Sequence, residues 1–292
     1  MTTTILNPVL SQVNSHERDK NIQFFEEGHK YIILTEPNTV YTSVTTWNHT
    51  HFPKFDADGI IKNMMKGKNW KEGHKYWGLT AEQIKTSWSS NASNVSTAGT
   101  DLHYEIECFM NEPTLSPDYT HKELYDLYVS NTNHNNINNT NNIHQSIEWQ
   151  YFINFVKDFP HLKPYRTEWM VYNEDIKLSG SIDMIYENPD GTLSIYDWKR
   201  AKEITKINKY NKYAITKEIC EMPDTNYWHY SLQLNTYKAI LEEKYNKKIK
   251  DMYLVRLHPD AEENNYELIQ VVDLSTIIHT LFNDLKTNQL KI

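Results

Sequence analysis

The order of periodic segments along this 292-residue chain predicts a mixed α/β (α+β) fold. Three observations carry that reading. Helical spacing dominates the N-terminal part, and three runs rich in aromatic and β-branched residues follow one another near the middle. A helix, two more strand-like runs and a last helix then complete the chain. A central mixed β-sheet flanked by helices, with a helical N-terminal elaboration, satisfies this order.

Residues 1–20 show no periodic apolar pattern and are expected to form a flexible N-terminus, with one domain over 21–292. "IQFFEEGHKYIILTEPNTVYTSV" (22–44) predicts a hairpin whose two runs flank Glu36-Pro37-Asn38-Thr39. Asp56 or Asp58 starts a short amphipathic helix in "FDADGIIKNMMKGK". In "GLTAEQIKTSW", Thr80 as N-cap and Gln83 at the third helical position form a capping box. A longer helical stretch, "NVSTAGTDLHYEIECFMNE", places Leu102, Ile106, Phe109 and Met110 at helical spacing.

These hairpin and helical segments occupy 21–129. "SNTNHNNINNTNNIHQS" (130–146) is dominated by Asn and too poor in apolar residues to fold alone, so it reads as a loosely ordered surface insert. The core, 147–292, begins with the helix "IEWQYFINFVKDF", whose apolar face is Phe152, Phe155, Val156 and Phe159. The strands "YRTEWMVY", "LSGSIDMIY" and "TLSIYDWK" follow, the last two joined by an Asn-Pro-Asp-Gly turn. After a basic loop come the helix "NYWHYSLQLNTYKAILEEKYN", the strands "KDMYLVRLH" and "YELIQVVDL", and the terminal helix "STIIHTLFNDLK".

Composition removes several function classes. There is no G-x-x-x-x-G-K-[ST] phosphate loop, and two cysteines, Cys108 and Cys220, provide neither a disulfide framework nor a four-Cys zinc or iron–sulfur site. The N-terminus has no basic start followed by an apolar run, and no stretch reaches bilayer-spanning length, so a soluble, intracellular protein is expected. The formal net charge of −8 does not advertise a nucleic-acid partner. Locally the balance reverses: Lys199, Arg200, Lys202, Lys206, Lys209, Lys212 and Lys217 face only Glu203, a field suited to a phosphate backbone.

Two acids interrupt strands that would otherwise be apolar. Strand alternation puts Leu193, Ile195, Asp197 and Lys199 on one face, and Ser181, Asp183 and Ile185 on one face of the preceding strand. If these strands pair, Asp183 and Asp197 converge with Lys199 beside them. Crowded carboxylates stay ionised when a cation lies between them, and oxygen ligands select a hard divalent ion such as Mg²⁺. An adjacent ammonium can orient water or offset phosphoryl charge, so the combination suits phosphodiester hydrolysis.

Asp183 with Asp197-Trp198-Lys199 resembles the core motif of the PD-(D/E)XK nuclease superfamily, as does the αβββαβ element order. "AGTDLHYEIE" resembles the G-x-x-x-H helix of the RecB-like exonuclease branch, and "QLNTY" its Q-x-x-x-Y helix. The N-terminal pattern is similar to viral and mitochondrial-genome-maintenance-type members of that branch. Ile182 stands where the family has proline, and Asp197 takes the acidic position.

The resemblance implies a DNA exonuclease, acting on single strands or free ends, that leaves a 5′-phosphate. It also implies a restriction-endonuclease-like core. Mg²⁺ or Mn²⁺ would be held by Asp183, Asp197, the Trp198 carbonyl and His103, with Lys199 positioning water. Gln233 and Tyr237 would hold Lys199 or the scissile phosphate. Glu168 occupies the place of an upstream acid, serving a second metal, its water, or a strand end in solvent. Glu107, one turn beyond His103, orients it, approaches the metal or faces solvent. Arg200, Lys202, Lys206, Lys209 and Lys212 would contact the strand. The alternatives are an endonuclease on DNA or RNA, and a non-catalytic nucleic-acid-binding module.

Overall fold

The computed structural model describes residues 9–116, 118–134 and 142–289. The chain opens with α1 (Val9–Val13), then the hairpin β1 (Ile22–Phe25) and β2 (Lys30–Ile33), a two-residue strand β3 (Thr42–Ser43), and helices α2 (Val44–Thr50) and α3 (Ala57–Lys66). α4 (Ala81–Met110), α5 (His121–His134) and α6 (Ile147–Asp158) precede β4 (Lys163–Asn173), β5 (Leu178–Glu187) and β6 (Leu193–Lys199). α7 (Asn226–Lys244), β7 (Ile249–Arg256), β8 (Glu267–Gln270) and α8 (Ser275–Gln289) complete it. The fold is mixed α+β, a central mixed sheet flanked by helices, as the element order predicts. No helix of the described residues is long and apolar enough to cross a membrane.

Local signals place several helix ends where the sequence puts them. Asp56 caps α3 by accepting from Gly59 N–H, and Thr80 and Gln83 close the capping box of α4. The two helical stretches expected around residues 78–112 are one 30-residue helix. Ser, Thr and Asn between Trp88 and Thr100 are weak helix formers, yet they interrupt nothing because the helix is anchored at both ends. Ile84 packs at one end, and Leu102, Ile106 and Met110 at the other.

Three expectations need correction. The first hairpin turns at Glu26–His29, where Gly28 and His29 both adopt positive φ, and not at Glu36–Thr39. The run after Thr39 supplies only β3, which pairs parallel with Leu178 and Ser179 of β5. Residues 9–20 are not a loose tail. Leu10 is buried with its N–H on Asn111, Asp19 accepts from Arg166 and the Trp169 indole, and Arg18 pairs with Glu174 at 2.6 Å. All these partners lie far along the chain, so no local pattern announces them. The Asn-rich insert is partly built: α5 runs to His134, and His144 stacks on Trp149, while 135–141 and 1–8 lie outside the described residues.

The sheet is sandwiched between two apolar clusters. On one face Trp169, Val171, Leu193, Ile195 and Leu254 pack with residues of α2, α7 and α8. On the other, Met184, Tyr186, Tyr196 and Trp198 pack with residues of α4, α5 and α6. β4 pairs antiparallel along β5, while β6 pairs antiparallel with Met184–Glu187 only. Because β4 pairs with both ends of β5, β3 and β6 must share its opposite edge. That edge is therefore open from Gly180 to Asp183: the sheet forks.

Tyr237 of α7 fills the fork from one face, and this explains Gly180. A Cβ there would stand 2.7 Å from the tyrosine hydroxyl and 2.9 Å from its ring. Gly180→Ala is expected to destabilise the protein by about 1–3 kcal/mol through overpacking. Adding Tyr237→Phe removes the nearest contact and should recover part of the loss, as read by thermal unfolding of the single and double variants.

Candidate active site

Asp183 lies at the base of the fork and is the one residue of β5 missing from all three of its ladders. Continuing the β5–β6 register would put Asp197 opposite it. Instead the Asp183 carboxylate accepts from the Trp198 N–H at 3.0 Å, replacing the ladder with a side chain. On the β4 side its counterpart is Glu168, held at φ 41° inside a strand. Such a left-handed residue costs about 1–3 kcal/mol and needs surrounding structure to enforce it.

The distortion also breaks the face alternation expected for β5. Ile182 and Ile185 pack on the α7 side, whereas Met184 and Tyr186 pack on the α4–α6 side. Asp183 is thus the point at which the strand turns over, so it does not share a face with Ile185 by simple period-2 counting. Through the fork, side chains from both faces of the sheet reach one place.

From α4 comes His103. Its Nε2 lies 3.0 Å from the Trp198 carbonyl and its Nδ1 3.5 Å from Asp183 Oδ2. A carbonyl can only accept, so Nε2 carries a proton there, and Nδ1 is the ring nitrogen turned toward Asp183. His103, Glu168 and Asp183 each present one ligand atom, and these lie within 4.8 Å of one another. Ser181 donates to Glu168 at 2.8 Å and fixes its carboxylate. Glu107, also on α4, is close enough to Glu168 to raise its pKa, and burial raises its own.

Asp197 and Lys199 stand beside this cluster as a pair. Lys199 Nζ is 2.5 Å from Asp197 Oδ2, a charge pair with both side chains largely buried. Burial pushes the Asp197 carboxyl up to about 6, with Asp183 adding to the rise and Lys199 opposing it. Burial also works against the lysine charge, yet Asp197 and Asp183 outweigh it and raise the lysine above its ordinary value. Lys199 is therefore a cation throughout the neutral range. Its ammonium sits 4.6 Å from the centre of the Tyr230 ring.

From α7, Gln233 hydrogen-bonds the buried Tyr237 hydroxyl, so the two residues act as a unit one turn apart. The sequence does not single out Tyr31, Gly180 or Ser181 as site residues. Tyr31, from the N-terminal hairpin, has its phenol pushed up to about 12 by burial and by Glu168 and Asp183. Gly180 and Ser181 were legible only as small residues next to Asp183; nothing local marks Tyr31.

The basic loop divides. Arg200 pairs with Glu148 of α6 at 2.8 Å, both side chains largely buried. Lys202 approaches Asp260 at 3.4 Å, and Lys206 lies over the Tyr227 ring. Lys209 and Lys212 are exposed.

The donor set fits a divalent cation. One imidazole nitrogen and two carboxylates whose ligand atoms lie within 4.8 Å, with Glu168 pushed toward protonation by burial and by Asp183, are the features such an ion compensates. No family model matches the chain, and no curated protein matches it in sequence. Among solved structures it is similar to a candidate exonuclease from Eubacterium rectale, at 13% identity and a TM-score of 0.31. The match covers 61% of this chain and 68% of that one. At this level the likeness bears on neither substrate nor residues.

The electrostatics give a signed expectation. Burial and Asp183 push Glu168 up to about 8 from an ordinary glutamate value near 4.5. The folded state thus keeps a proton that the unfolded state has released, so this group's contribution to stability falls as pH rises from about 4.5 to about 8. Metal-free protein should melt lower at pH 8 than at pH 5.5, and Glu168→Gln should flatten that dependence. Added Mg²⁺ or Mn²⁺ should raise the melting temperature more at pH 8, because it no longer competes with the proton. An equal increment at both pH values would contradict this assignment.

Proposed function

We propose that the chain is a metal-dependent nuclease of the PD-(D/E)XK kind, in the RecB-like branch. Its substrate is DNA, and it works as an exonuclease on single strands or free ends. The observation that carries this reading is the fork, where His103, Glu168 and Asp183 gather within ligand distance of one another beside a permanently charged Lys199. A structural role for these acids would leave unexplained why β5 gives up a ladder position and β4 accepts a strained residue to bring them together.

His103, Asp183 and Glu168 would hold Mg²⁺ or Mn²⁺, with Asp197 and the Trp198 carbonyl adjoining. When bound, such an ion offsets phosphate charge and lowers the pKa of a coordinated water. The protein's own groups supply the rest. Lys199 is a donor and not a base, because its neighbouring carboxylates keep it protonated. It is placed to orient the attacking water or a non-bridging phosphate oxygen. Asp197 fixes the ammonium, and the Tyr230 ring limits where it can swing.

Gln233, anchored by Tyr237, has an amide donor to offer the phosphate. The water oxygen bonds to phosphorus as the P–O3′ bond breaks, and the departing oxygen takes up a proton. The products are a 5′-phosphate and a 3′-hydroxyl. The exposed Lys209 and Lys212 would meet the backbone of the bound strand.

The test uses end-labelled linear and covalently circular DNA, single- and double-stranded, with Mg²⁺ or Mn²⁺. Lys199→Ala and Asp183→Asn should each lower kcat/KM at least about 100-fold while the protein stays folded. Loss of linear substrate alone supports the exonuclease. Cutting of circles means an endonuclease, and binding without cleavage under either metal would falsify the enzymatic reading.

A further inference from the structure

A cavity of about 630 Å³ opens between α2, the segment after it and the N-terminal end of α7. Its volume lies within the range of about 300–1,000 Å³ that encloses one small organic unit. α2 contributes Thr46, His49 and Thr50; the segment after it contributes Phe52, Lys54 and Phe55; Lys212, Asp224 and His229 close the far side.

The aromatic lining is fixed. His229 stacks on Phe52 with ring centroids 3.8 Å apart and planes at 21°. Its Nε2 is held by Asp224 at 2.8 Å, and the His49 ring stands 5.6 Å away. Phe55 at the rim is 74% exposed, an unusual position for a phenylalanine unless something covers it. Trp88 of α4 continues the aromatic track 6.1 Å beyond Phe55. Lys54 and Lys212, both exposed, have no ion-pair partner among the described residues.

The position relative to the active site follows from α7. His229 precedes Gln233 by four residues, so the two side chains are neighbours on one helix face, with Cβ atoms about 5–6 Å apart. Gln233 leads to Tyr237 and the fork, and His229 leads into the cavity.

We infer that this cavity is a binding subsite for one unpaired nucleotide of the substrate strand. The base lies between Phe55 and the His229–Phe52 stack, and the flanking phosphates lie toward Lys54 and Lys212. Flat aromatic walls with unpaired cations at the mouth are what single-stranded nucleic acid uses, since every base has a π-face and every nucleotide a charge. A duplex does not enter, because its bases are stacked on each other and the cavity holds a single unit. The inference rests on the nuclease reading and adds the strand's path to it.

The experiment measures binding of a fluorescein-labelled 12-nucleotide single strand and a hairpin-closed duplex, with Ca²⁺ in place of Mg²⁺ to withhold cleavage. Phe55→Ala and the double variant Lys54→Ala/Lys212→Ala change exposed side chains, so their melting temperatures should match the parent. Each should weaken single-strand binding about ten-fold or more and change duplex binding less than two-fold. A 2-aminopurine moved along the strand should be quenched at one position in the parent and not in Phe55→Ala. Parent-like affinity in both variants would overturn the subsite while leaving the nuclease reading intact. A parent protein that binds neither DNA would remove both.

Discussion

β5 lends one edge to two different strands, and the gap between them is the constraint on which the site depends. With β3 at one end and β6 at the other, the stretch from Gly180 to Asp183 has no backbone partner on that side. Open backbone inside a sheet is costly unless something satisfies it. Here the Asp183 carboxylate takes the Trp198 N–H, and Tyr237 fills the space against Gly180. A continuous sheet would separate α4 from α7. The fork lets His103 from one and Gln233 from the other approach the same residues.

Gathering acids in such a place works against folding. Glu168 adopts a left-handed conformation, and it and Asp197 are pushed toward protonation by burial and by Asp183. The stabilising side of the balance lies outside the fork. The two apolar clusters contain fully buried Trp149, Trp169, Phe152 and Phe155, and each such ring removes a large area from water. The strained residues are bracketed by these anchors: Trp169 directly follows Glu168, and Met184 directly follows Asp183. Rigid packing on both flanks is what holds β4 and β5 in a conformation that neither would choose alone.

How much of this the sequence discloses depends on how far apart the interacting residues lie. Thr80 and Gln83 advertise a helix start because both partners sit within one turn. Asp183, Asp197 and Lys199 are visible because acids are out of place in strands. Glu168 is visible as an acid, but nothing in "YRTEWMVY" says that its φ is positive, since that follows from its being opposite Asp183. Arg200 reads as a free cation because Glu148, which holds it, lies on a different helix 52 residues earlier. Tyr31 and the anchoring of residues 9–20 are invisible for the same reason. The misplaced hairpin turn is a different failure: Pro37-Asn38 is the stronger local signal, and Gly28-His29 wins because its turn brings Ile22 and Ile33 into one cluster.

α7 ties these features together. It is buried on nearly every side, and its inward polar residues are satisfied within the protein: Ser231 and Thr236 bond back to carbonyls one turn earlier, and Asn235 bridges Val272 and Leu274. A helix held this way has little freedom to rotate or slide. One flank therefore holds His229, Gln233 and, at its buried end, Tyr237 at a fixed spacing, about 5.4 Å per turn along the axis. Successive phosphates of an extended strand are separated by a length of the same order. A nucleotide seated at His229 would bring a neighbouring phosphate to Gln233, so the rigidity of α7 sets the register between grip and chemistry.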